Sequence, residues 1–264
     1  MRREMTNKIR YVLEELVPPA LRDSILFKKF AELAWGKPIK AASDLRRRAP
    51  FFKEEEYAAL YQAHPRIHEC TDNSDACVRK IIGDVVGSSV CDIGCGTGYL
   101  LERIRERHVN TVTRFVGVDF LVSQIQKIPT LEFLAAKIEA LPFRNREFDT
   151  VTCTHVLEHI LDFRKALMEL RRITRRRLII VVPREREALY TFNPHLHFFP
   201  YPESFLRAAI PIAMLRVRRH RARHLLSRRH RELGPSSLTP RRAANVACPC
   251  RRGDRIAVLF ACGA

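Results

Sequence analysis

Apolar positions near the start of the chain recur with a helical period. A first predicted helix ends at Pro18-Pro19, and its apolar positions are Ile9, Val12, Leu13, Leu16 and Val17. A second predicted helix follows, with apolar positions Leu21, Ile25, Leu26, Phe30, Leu33 and Ala34. We therefore expect residues 1–79 to form a helical N-terminal cover.

The pattern changes at Val90, where a short apolar run predicts a strand that leads into Gly94, Gly96 and Gly98. Glycines at alternate positions let the backbone turn sharply and approach a ligand without interference from a Cβ atom. The amide groups of such a loop and the N-terminus of the next helix then face the ligand. A dinucleotide fingerprint would place its last glycine at position 99, which is Tyr99. The loop predicts a nucleotide cofactor of another kind, and the alternative is a tight turn without a ligand.

Asp92–Gly98 resemble the first motif of class I S-adenosylmethionine-dependent methyltransferases, and further segments follow in the order of that family. Val116–Phe120 are similar to its second strand, which ends in an acid about 20 residues beyond the glycines. Segments 137–143 and 147–153 are similar to the adenine loop and the fourth strand. The remaining similar segments are 155–159, 170–173, 178–183 and 195–199, the last of which leads to the acceptor pocket in that family.

The resemblance implies an α/β fold: a Rossmann-like, doubly wound, mostly parallel sheet of the seven-stranded type with a helical N-terminal extension. At 264 residues and 46% apolar content, the chain is long enough to bury such a core as one domain plus extensions. We expect the domain boundaries 1–79 for the cover, 80–215 for the methyltransferase domain and 216–264 for an Arg-rich C-terminal segment.

The cofactor implied by the resemblance is S-adenosylmethionine. The residues implied to contact it are Asp92, Gly94, Cys95, Gly96, Gly98, Asp119, Phe120, Ile138, Glu139 and Thr154. Asp119 is the candidate for the ribose hydroxyls. Lys137 stands where family members often carry an Asp that accepts a hydrogen bond from adenine, and an ammonium group has no acceptor lone pair. Adenine recognition is therefore expected to rest on backbone groups near Ile138 and Glu139.

The implied reaction needs an acceptor atom held in line with an electrophilic methyl group, so positioning supplies much of the catalysis. A hydroxyl acceptor also needs a base, and His155, at the end of the fourth strand, is the candidate. The alternative is a helix-capping or core histidine. His195 and His197 are candidates for substrate contact, although only one of two alternating side chains is expected to face the pocket.

The segment His155–His159 also fits the H-x-x-E-H pattern of one metallopeptidase group, in which a helix presents two histidines to zinc. Here the pattern follows a strand, so no metal ligands are expected in it. The cysteines show no paired C-x-x-C spacing and are expected to be reduced thiols, which favours a cytoplasmic enzyme. A zinc site at Cys248 and Cys250 remains open as an alternative.

The net charge of +18 is concentrated in residues 216–264, which hold many Arg, no Lys and only Glu232 and Asp254 as acids. The segment lacks the interleaved aromatic side chains on which bases stack, so neither DNA nor other nucleic acid is expected as a partner. Its composition is typical of a disordered stretch, or of a shifted reading frame. Within it, Ile256–Phe260 could add a final strand.

The function expected from all of this is methyl transfer to a small-molecule acceptor on oxygen, with a saccharide or a lipid-linked metabolite favoured. The alternatives are an RNA methyltransferase and a catalytically silent S-adenosylmethionine-binding scaffold. The cover would exclude water from the site. Alternatively, it would make peripheral membrane contact through cations beside large apolar residues. The cations are Arg22, Lys28, Lys29, Lys37 and Lys40, and the apolar residues are Leu26, Phe27, Phe30 and Trp35.

Overall fold

The computed structural model describes residues 16–35, 48–53, 70–121, 130–187, 195–209 and 256–261, together with positions 12, 55, 56 and 59. Its strands are β1 (Ser89–Ile93), β2 (Arg114–Asp119), β3 (Glu132–Ala135), β4 (Phe148–Thr154), β5 (Thr174–Pro183) and β6 (Ile256–Ala261). Its helices are α1 (Pro19–Arg22), α2 (Ile25–Trp35), α3 (Asp75–Asp84), α4 (Tyr99–His108), α5 (Phe163–Ile173) and α6 (Pro202–Ala209). Two short 3₁₀ turns cover Ala49–Phe51 and Leu157–His159.

The strands form one sheet in the order β3-β2-β1-β4-β5-β6, and every neighbouring pair is parallel. The chain runs from β1 outward to β3, then returns to the other side of β1 and continues outward from β4 to β6. The direction of winding therefore reverses between β1 and β4. In open α/β sheets, ligands bind in the crevice outside the carboxyl ends of the strands at such a reversal.

Both faces of the sheet are buried, which explains why the central strands are almost continuously apolar. Along β5, Ile179 and Val181 pack on one face with α3 and α4, whereas Ile180 packs on the opposite face with α5 and α6. This alternation follows from the two-residue period of a strand. The expected Rossmann-like, doubly wound parallel sheet is confirmed, with six strands rather than seven in the described part of the chain.

The expected final strand near Ile256 is confirmed as β6, which pairs with β5 from Leu178↔Ile256 to Pro183↔Ala261. It extends the sheet beyond the predicted domain end at residue 215. At the other end, the predicted boundary at 79/80 falls inside α3, which buries Val78 and Ile81 in the core. The described domain thus begins before residue 80, whereas the Arg-rich residues between 216 and 255 lie outside the described part.

The predicted second N-terminal helix is present as α1 and α2, with a break at Asp23 and Ser24. The side chains of Ile25, Leu26 and Leu33 are 70%, 80% and 88% exposed, so the expected packing of this apolar face as a cover is wrong for them. The first predicted helix, Lys37 and Lys40 lie wholly or mostly outside the described residues. No helix in the described ranges combines the length and apolar character needed to cross a membrane.

Arg22 was expected among the cations that face a membrane, but this expectation is wrong. Its side chain is buried, and Nη2 donates a hydrogen bond of 2.9 Å to the carbonyl oxygen of Glu187, while Nε lies 3.7 Å from a carboxylate oxygen of Asp23. This guanidinium therefore ties α1 to the segment after β5 instead of facing solvent or lipid.

Candidate active site

The glycine loop follows β1 and has the left-handed backbone that the sequence requires. The φ angles of Gly94, Gly96 and Gly98 are 75°, 56° and 87°. A Cβ atom on Gly94 would lie 2.1 Å from Cγ2 of Val156, so only glycine fits there. The amides of Gly94 and Cys95 donate to the carbonyl oxygen of Val118 at 2.7 and 3.0 Å, which fixes the loop to the end of β2.

Asp119 ends β2 at the same edge of the sheet. Its Oδ2 accepts a hydrogen bond of 2.8 Å from the Gly96 amide, and its Oδ1 accepts one of 3.0 Å from the Leu121 amide. The structure thus brings the predicted ribose acid into direct contact with the predicted cofactor loop. Phe120, the next residue, is partly exposed and supplies an apolar surface beside this acid.

Asp92 lies beneath the loop on β1 and is almost completely buried. Oγ1 of Thr152 on β4 donates a hydrogen bond of 2.6 Å to its Oδ1. Burial raises the pKa of Asp92 to about 7; the hydrogen bond from Thr152 opposes this shift, and the charge of Asp119 adds to it. A carboxyl group that titrates near neutrality therefore supports the floor of the site.

The predicted adenine segment follows β3. Ile138 is buried in the core, Glu139 is half-buried and Lys137 is exposed. The Ala140 amide donates to the carbonyl oxygen of Lys137 at 3.1 Å, which closes a turn around Ile138 and Glu139. This turn follows β3, which pairs with β2, so it lies on the β2 side of the glycine loop.

Thr154 ends β4, and its contact identifies a residue that sequence reasoning missed. Nδ2 of Asn73, which is buried, donates to Oγ1 of Thr154 at 3.2 Å, and Sγ of Cys77 donates to Oδ1 of Asn73 at 3.4 Å. Asn73 therefore ties the segment before α3 to the carboxyl end of β4. The nearby sequence signal was only the helix cap Ser74, whose side chain accepts from the Cys77 amide.

His155 follows β4 directly and has φ of 56°, which is uncommon for a residue other than glycine. Its amide donates to the carbonyl oxygen of Val181 at 2.9 Å, and its Nδ1 lies 3.5 Å from Oε1 of Glu158. Its Nε2 is buried and has no hydrogen-bond partner among the described residues. Strained backbone of this kind is concentrated at functional sites.

Glu158 is completely buried beside this histidine. Burial would raise its pKa, but the contact with His155 and the charges of His159, His155 and His195 outweigh burial, so its pKa lies below the usual value. The backbone around it is not the helix that the metallopeptidase pattern needs. His155 is a left-handed residue, and Leu157–His159 form a single 3₁₀ turn.

His195 and His197 have different surroundings, as alternation along an extended segment predicts. His195 is buried, its Nδ1 is hydrogen-bonded to Oε2 of Glu185, and its ring lies 4.7 Å from that of His159. His197 bonds the carbonyl oxygen of Ile160 through Nε2 at 2.8 Å, and its ring lies 4.8 Å from that of Phe163. His195 thus joins the cluster after β4, whereas His197 packs against α5.

Comparison with known proteins finds similarity to methyltransferases over the part of the chain that contains this edge. Residues 91–182 match the family model described as "Methyltransferase domain". The demethylmenaquinone methyltransferases of Renibacterium salmoninarum and Paenarthrobacter aurescens are 31% and 33% identical to the chain, over 36% and 37% of it and 40% of each relative. The ubiquinone biosynthesis O-methyltransferase of Aliivibrio fischeri is 30% identical over 41% of the chain and 46% of that relative.

The match is confined to one part of each protein, since the chain spans about two fifths of the first two relatives. Among solved structures, the YcgJ protein from Bacillus subtilis is 24% identical over 40% of the chain and 51% of that protein, with a TM-score of 0.34. The residues that match the family model, 91–182, extend from within β1 to the last residue but one of β5. They include the glycine loop, Asp119 and His155.

Proposed function

We propose that the chain transfers a methyl group from S-adenosylmethionine to a small-molecule acceptor, in the manner of class I methyltransferases, because residues 91–182 match a family model described as a methyltransferase domain. The observation that carries this proposal is the contact between the Asp119 carboxylate and the Gly96 amide. The contact supports the proposal because it joins a carboxylate suited to the ribose hydroxyls to a glycine-rich backbone that a ligand can approach closely. Both lie at the carboxyl ends of the adjacent strands β1 and β2, next to the reversal of winding between β1 and β4.

The residues at this edge fit the cofactor in shape and in charge. Gly94, Gly96 and Gly98 all have positive φ, and a Cβ on Gly94 would collide with Val156, so the fold requires a bare backbone at this point of the loop. Asp119 presents two carboxylate oxygens that can accept from two hydroxyl groups. Phe120 and the turn at Ile138 offer apolar surface and backbone groups for adenine, so the exposed Lys137 need not take part.

The bound cofactor supplies an electrophilic methyl group, and the protein has to supply alignment and a proton acceptor. We assign the latter role to His155, whose Nε2 has no competing hydrogen bond among the described residues. As the acceptor oxygen forms a bond to the methyl carbon, the carbon–sulfur bond breaks and its electron pair stays on sulfur. The hydroxyl proton passes to the imidazole, and the products are the methylated oxygen and the neutral thioether.

The acceptor that we propose is a hydroxyl group on a lipid-linked small molecule. Relatives over the matched region include demethylmenaquinone methyltransferases, a 2-phytyl-1,4-naphtoquinone methyltransferase of Trichormus variabilis and a ubiquinone biosynthesis O-methyltransferase. These names support a lipid-soluble ring more than the saccharide expected as an equal candidate. An oxygen target is supported by the imidazole of His155, which could take the hydroxyl proton, and by the name of the ubiquinone biosynthesis O-methyltransferase.

The exposed face of α2 supports delivery from a membrane surface. Ile25, Leu26, Phe30 and Leu33 are largely exposed, and Lys29 lies beside them, also exposed. An apolar helix face flanked by cations is suited to the interface of an anionic bilayer. We therefore propose peripheral contact with anionic lipid through α2. The buried Arg22 takes no part in this contact.

The membrane proposal can be tested by sedimentation with vesicles of phosphatidylcholine alone or mixed with phosphatidylglycerol. We expect binding that increases with the anionic lipid and is lost in the double variant Leu26→Glu, Phe30→Glu. Met168→Glu, on the 61% exposed Met168 of α5, is the matched control and should bind like the parent chain. Equal binding of all three proteins would refute a role for α2.

The catalytic proposal is tested first by calorimetric titration with S-adenosylmethionine and with its demethylated product. We expect saturable binding of both by the parent chain and weakened binding by Asp119→Ala. Formation of the demethylated product is then followed by mass spectrometry with a hydroxylated, isoprenylated quinol as the acceptor. Absence of binding by a folded chain would refute cofactor use, and binding without turnover of any acceptor would favour the silent scaffold.

A further inference from the structure

A second group of side chains lies beside the candidate base and is not among the residues assigned above to the methyl transfer. Glu158, His159 and His195 each direct one potential ligand atom into the same space, and these atoms lie within 4.8 Å of one another. Glu158 and His195 are buried, and His159 is half-buried. A carboxylate and two imidazoles at this spacing are a common set of protein ligands for a divalent metal ion.

The carboxylate gives an independent indication of a missing partner. Glu158 has no solvent exposure, yet neither Oε1 nor Oε2 has a hydrogen-bond partner among the described residues. The Nδ1 atom of His155 lies 3.5 Å from Oε1, which is within ion-pair range only. A buried carboxylate without hydrogen bonds is costly unless a cation or a donor satisfies it.

A neighbouring acid orients one of the imidazoles in the way that metal ligands require. Nδ1 of His195 is hydrogen-bonded to Oε2 of Glu185, which is itself buried, so Nε2 is the atom of His195 that would bind an ion. Histidines that bind metals usually donate their other ring N–H to a carboxylate or carbonyl group, which fixes the tautomer and the ring orientation.

The backbone also holds the two halves of the cluster together. The amides of Leu196 and His197 donate to the carbonyl oxygen of Glu158 at 2.7 and 3.0 Å. These bonds join the segment after residue 194 to the 3₁₀ turn Leu157–His159. Main-chain hydrogen bonds therefore hold together the two segments that carry Glu158, His159 and His195.

We propose that Glu158, His159 and His195 form a binding site for a divalent transition-metal ion of the zinc type, with Glu185 as the orienting residue of His195. Two imidazoles favour zinc, cobalt or iron over magnesium, which prefers oxygen ligands. Three protein ligands also leave an open coordination position, as in catalytic zinc sites. The sequence predicted no metal ligands in the H-x-x-E-H segment because that segment follows a strand, and nothing in the sequence linked it to the distant His195.

The site adjoins the proposed active site through two contacts. Glu158 lies against His155, and Val156 packs on Gly94 of the cofactor loop. An ion with an open position here would bind the acceptor oxygen and lower the pKa of its hydroxyl group, which assists deprotonation. This role rests on the proposed methyl transfer, whereas metal binding itself does not.

The test is titration of the full chain, stripped of metal with a chelator, with Co²⁺ alone and with Zn²⁺ in competition with a chromophoric chelator. We expect one tight equivalent and a visible cobalt absorption band typical of low coordination number. Glu158→Gln, His159→Gln and His195→Gln should each weaken that equivalent at least tenfold. Glu185→Gln should weaken it about 10–100-fold, the usual effect of removing an orienting partner.

His108→Gln is the matched control, because His108 lies at the end of α4, outside the cluster, where its ring bonds the carbonyl oxygen of Ile82. It should retain the tight equivalent, and circular dichroism checks that each variant is folded. Equal binding by the parent chain and all cluster variants, or the absence of a tight equivalent, would overturn the site. Cobalt binding without affinity for S-adenosylmethionine would instead refute the proposed function and leave the metal site standing.

Discussion

The carboxylate of Asp119 and the amide of Gly96 are joined by a hydrogen bond of 2.8 Å, although the two residues lie on different strand–loop connections. The bond holds the loop after β1 against the acid at the end of β2. One side chain therefore shapes the cofactor loop and presents the oxygens proposed to bind the ribose. Loss of this carboxylate should affect both properties together.

Asp119→Ala should weaken binding of S-adenosylmethionine by roughly 1.5–3 kcal/mol, which is typical for hydrogen bonds to a charged group. Calorimetric titration measures the loss, and Glu132→Gln on β3 serves as the control because Glu132 lies exposed at the sheet edge and pairs with Arg114 instead. An unchanged affinity in Asp119→Ala would remove this residue from the cofactor site.

Gly94→Ala should destabilise the fold through two separable effects. The φ of 75° costs any L-residue about 1–2 kcal/mol. In addition, the new Cβ would lie 2.1 Å from Cγ2 of Val156, so Val156 or the loop must shift. In a Val156→Ala background the contact is relieved, and the cost of Gly94→Ala should fall by about 1 kcal/mol or more, as for coupled neighbours.

Chemical denaturation of the four proteins of this cycle measures the coupling. Gly83→Ala provides a control, because a Cβ at Gly83 on α3 would meet nothing within 4 Å. That substitution should stabilise the helix by about 0.5–1 kcal/mol. Strict additivity between positions 94 and 156 would show that the loop moves away from Val156 and that the close contact does not determine its shape.

The sequence was sufficient for those features that depend on local pattern and chain order. The strand before Gly94 was predicted from a short apolar run, the second strand ending in Asp119 was implied by the resemblance, and a final strand at Ile256 was named as a possibility; all three are present. The doubly wound, mostly parallel sheet was implied by the resemblance. Such features need only the preferences of neighbouring residues and the rules of parallel sheets.

The features that were missed depend on contacts between distant segments. Asn73 meets Thr154, and Glu185 meets His195, which itself joins Glu158; no spacing in the sequence indicates any of these pairs. The exposed face of α2 was also misjudged, because periodicity shows that a helix has an apolar face but not what covers that face.

Asp92 should make the stability of the fold depend on pH. Its pKa is raised from an ordinary 3.8 to about 7 in the folded chain, chiefly by burial. Between these values the folded state holds a proton that the unfolded state has lost, so stability is full below pH 4 and decreases as pH rises toward 7. The full effect is roughly 4 kcal/mol, since one pKa unit corresponds to about 1.4 kcal/mol.

The measurement is the free energy of unfolding of the parent chain and of Asp92→Asn between pH 4 and pH 8. The variant lacks this ionisation, so its stability relative to the parent should increase between pH 4 and 7 and then become constant. Asp84→Asn at the end of α3 should run parallel to the parent. A constant difference between Asp92→Asn and the parent across the range would mean that Asp92 is ionised throughout, despite its burial.

His155 can be tested by a substitution that keeps its backbone and removes its base. Asn tolerates the left-handed φ of 56° better than most residues, so His155→Asn should preserve the turn after β4. With an acceptor that the parent chain methylates, kcat should fall about 10²–10⁴-fold, the usual contribution of a general base, while the Kd for S-adenosylmethionine changes less than twofold. His155→Ala should additionally lose stability, because Ala pays the cost of the left-handed conformation. If His155→Asn methylated the acceptor at the parent rate, His155 would not be the general base. Its role would then be to adopt the left-handed turn after β4, and another group would have to accept the hydroxyl proton.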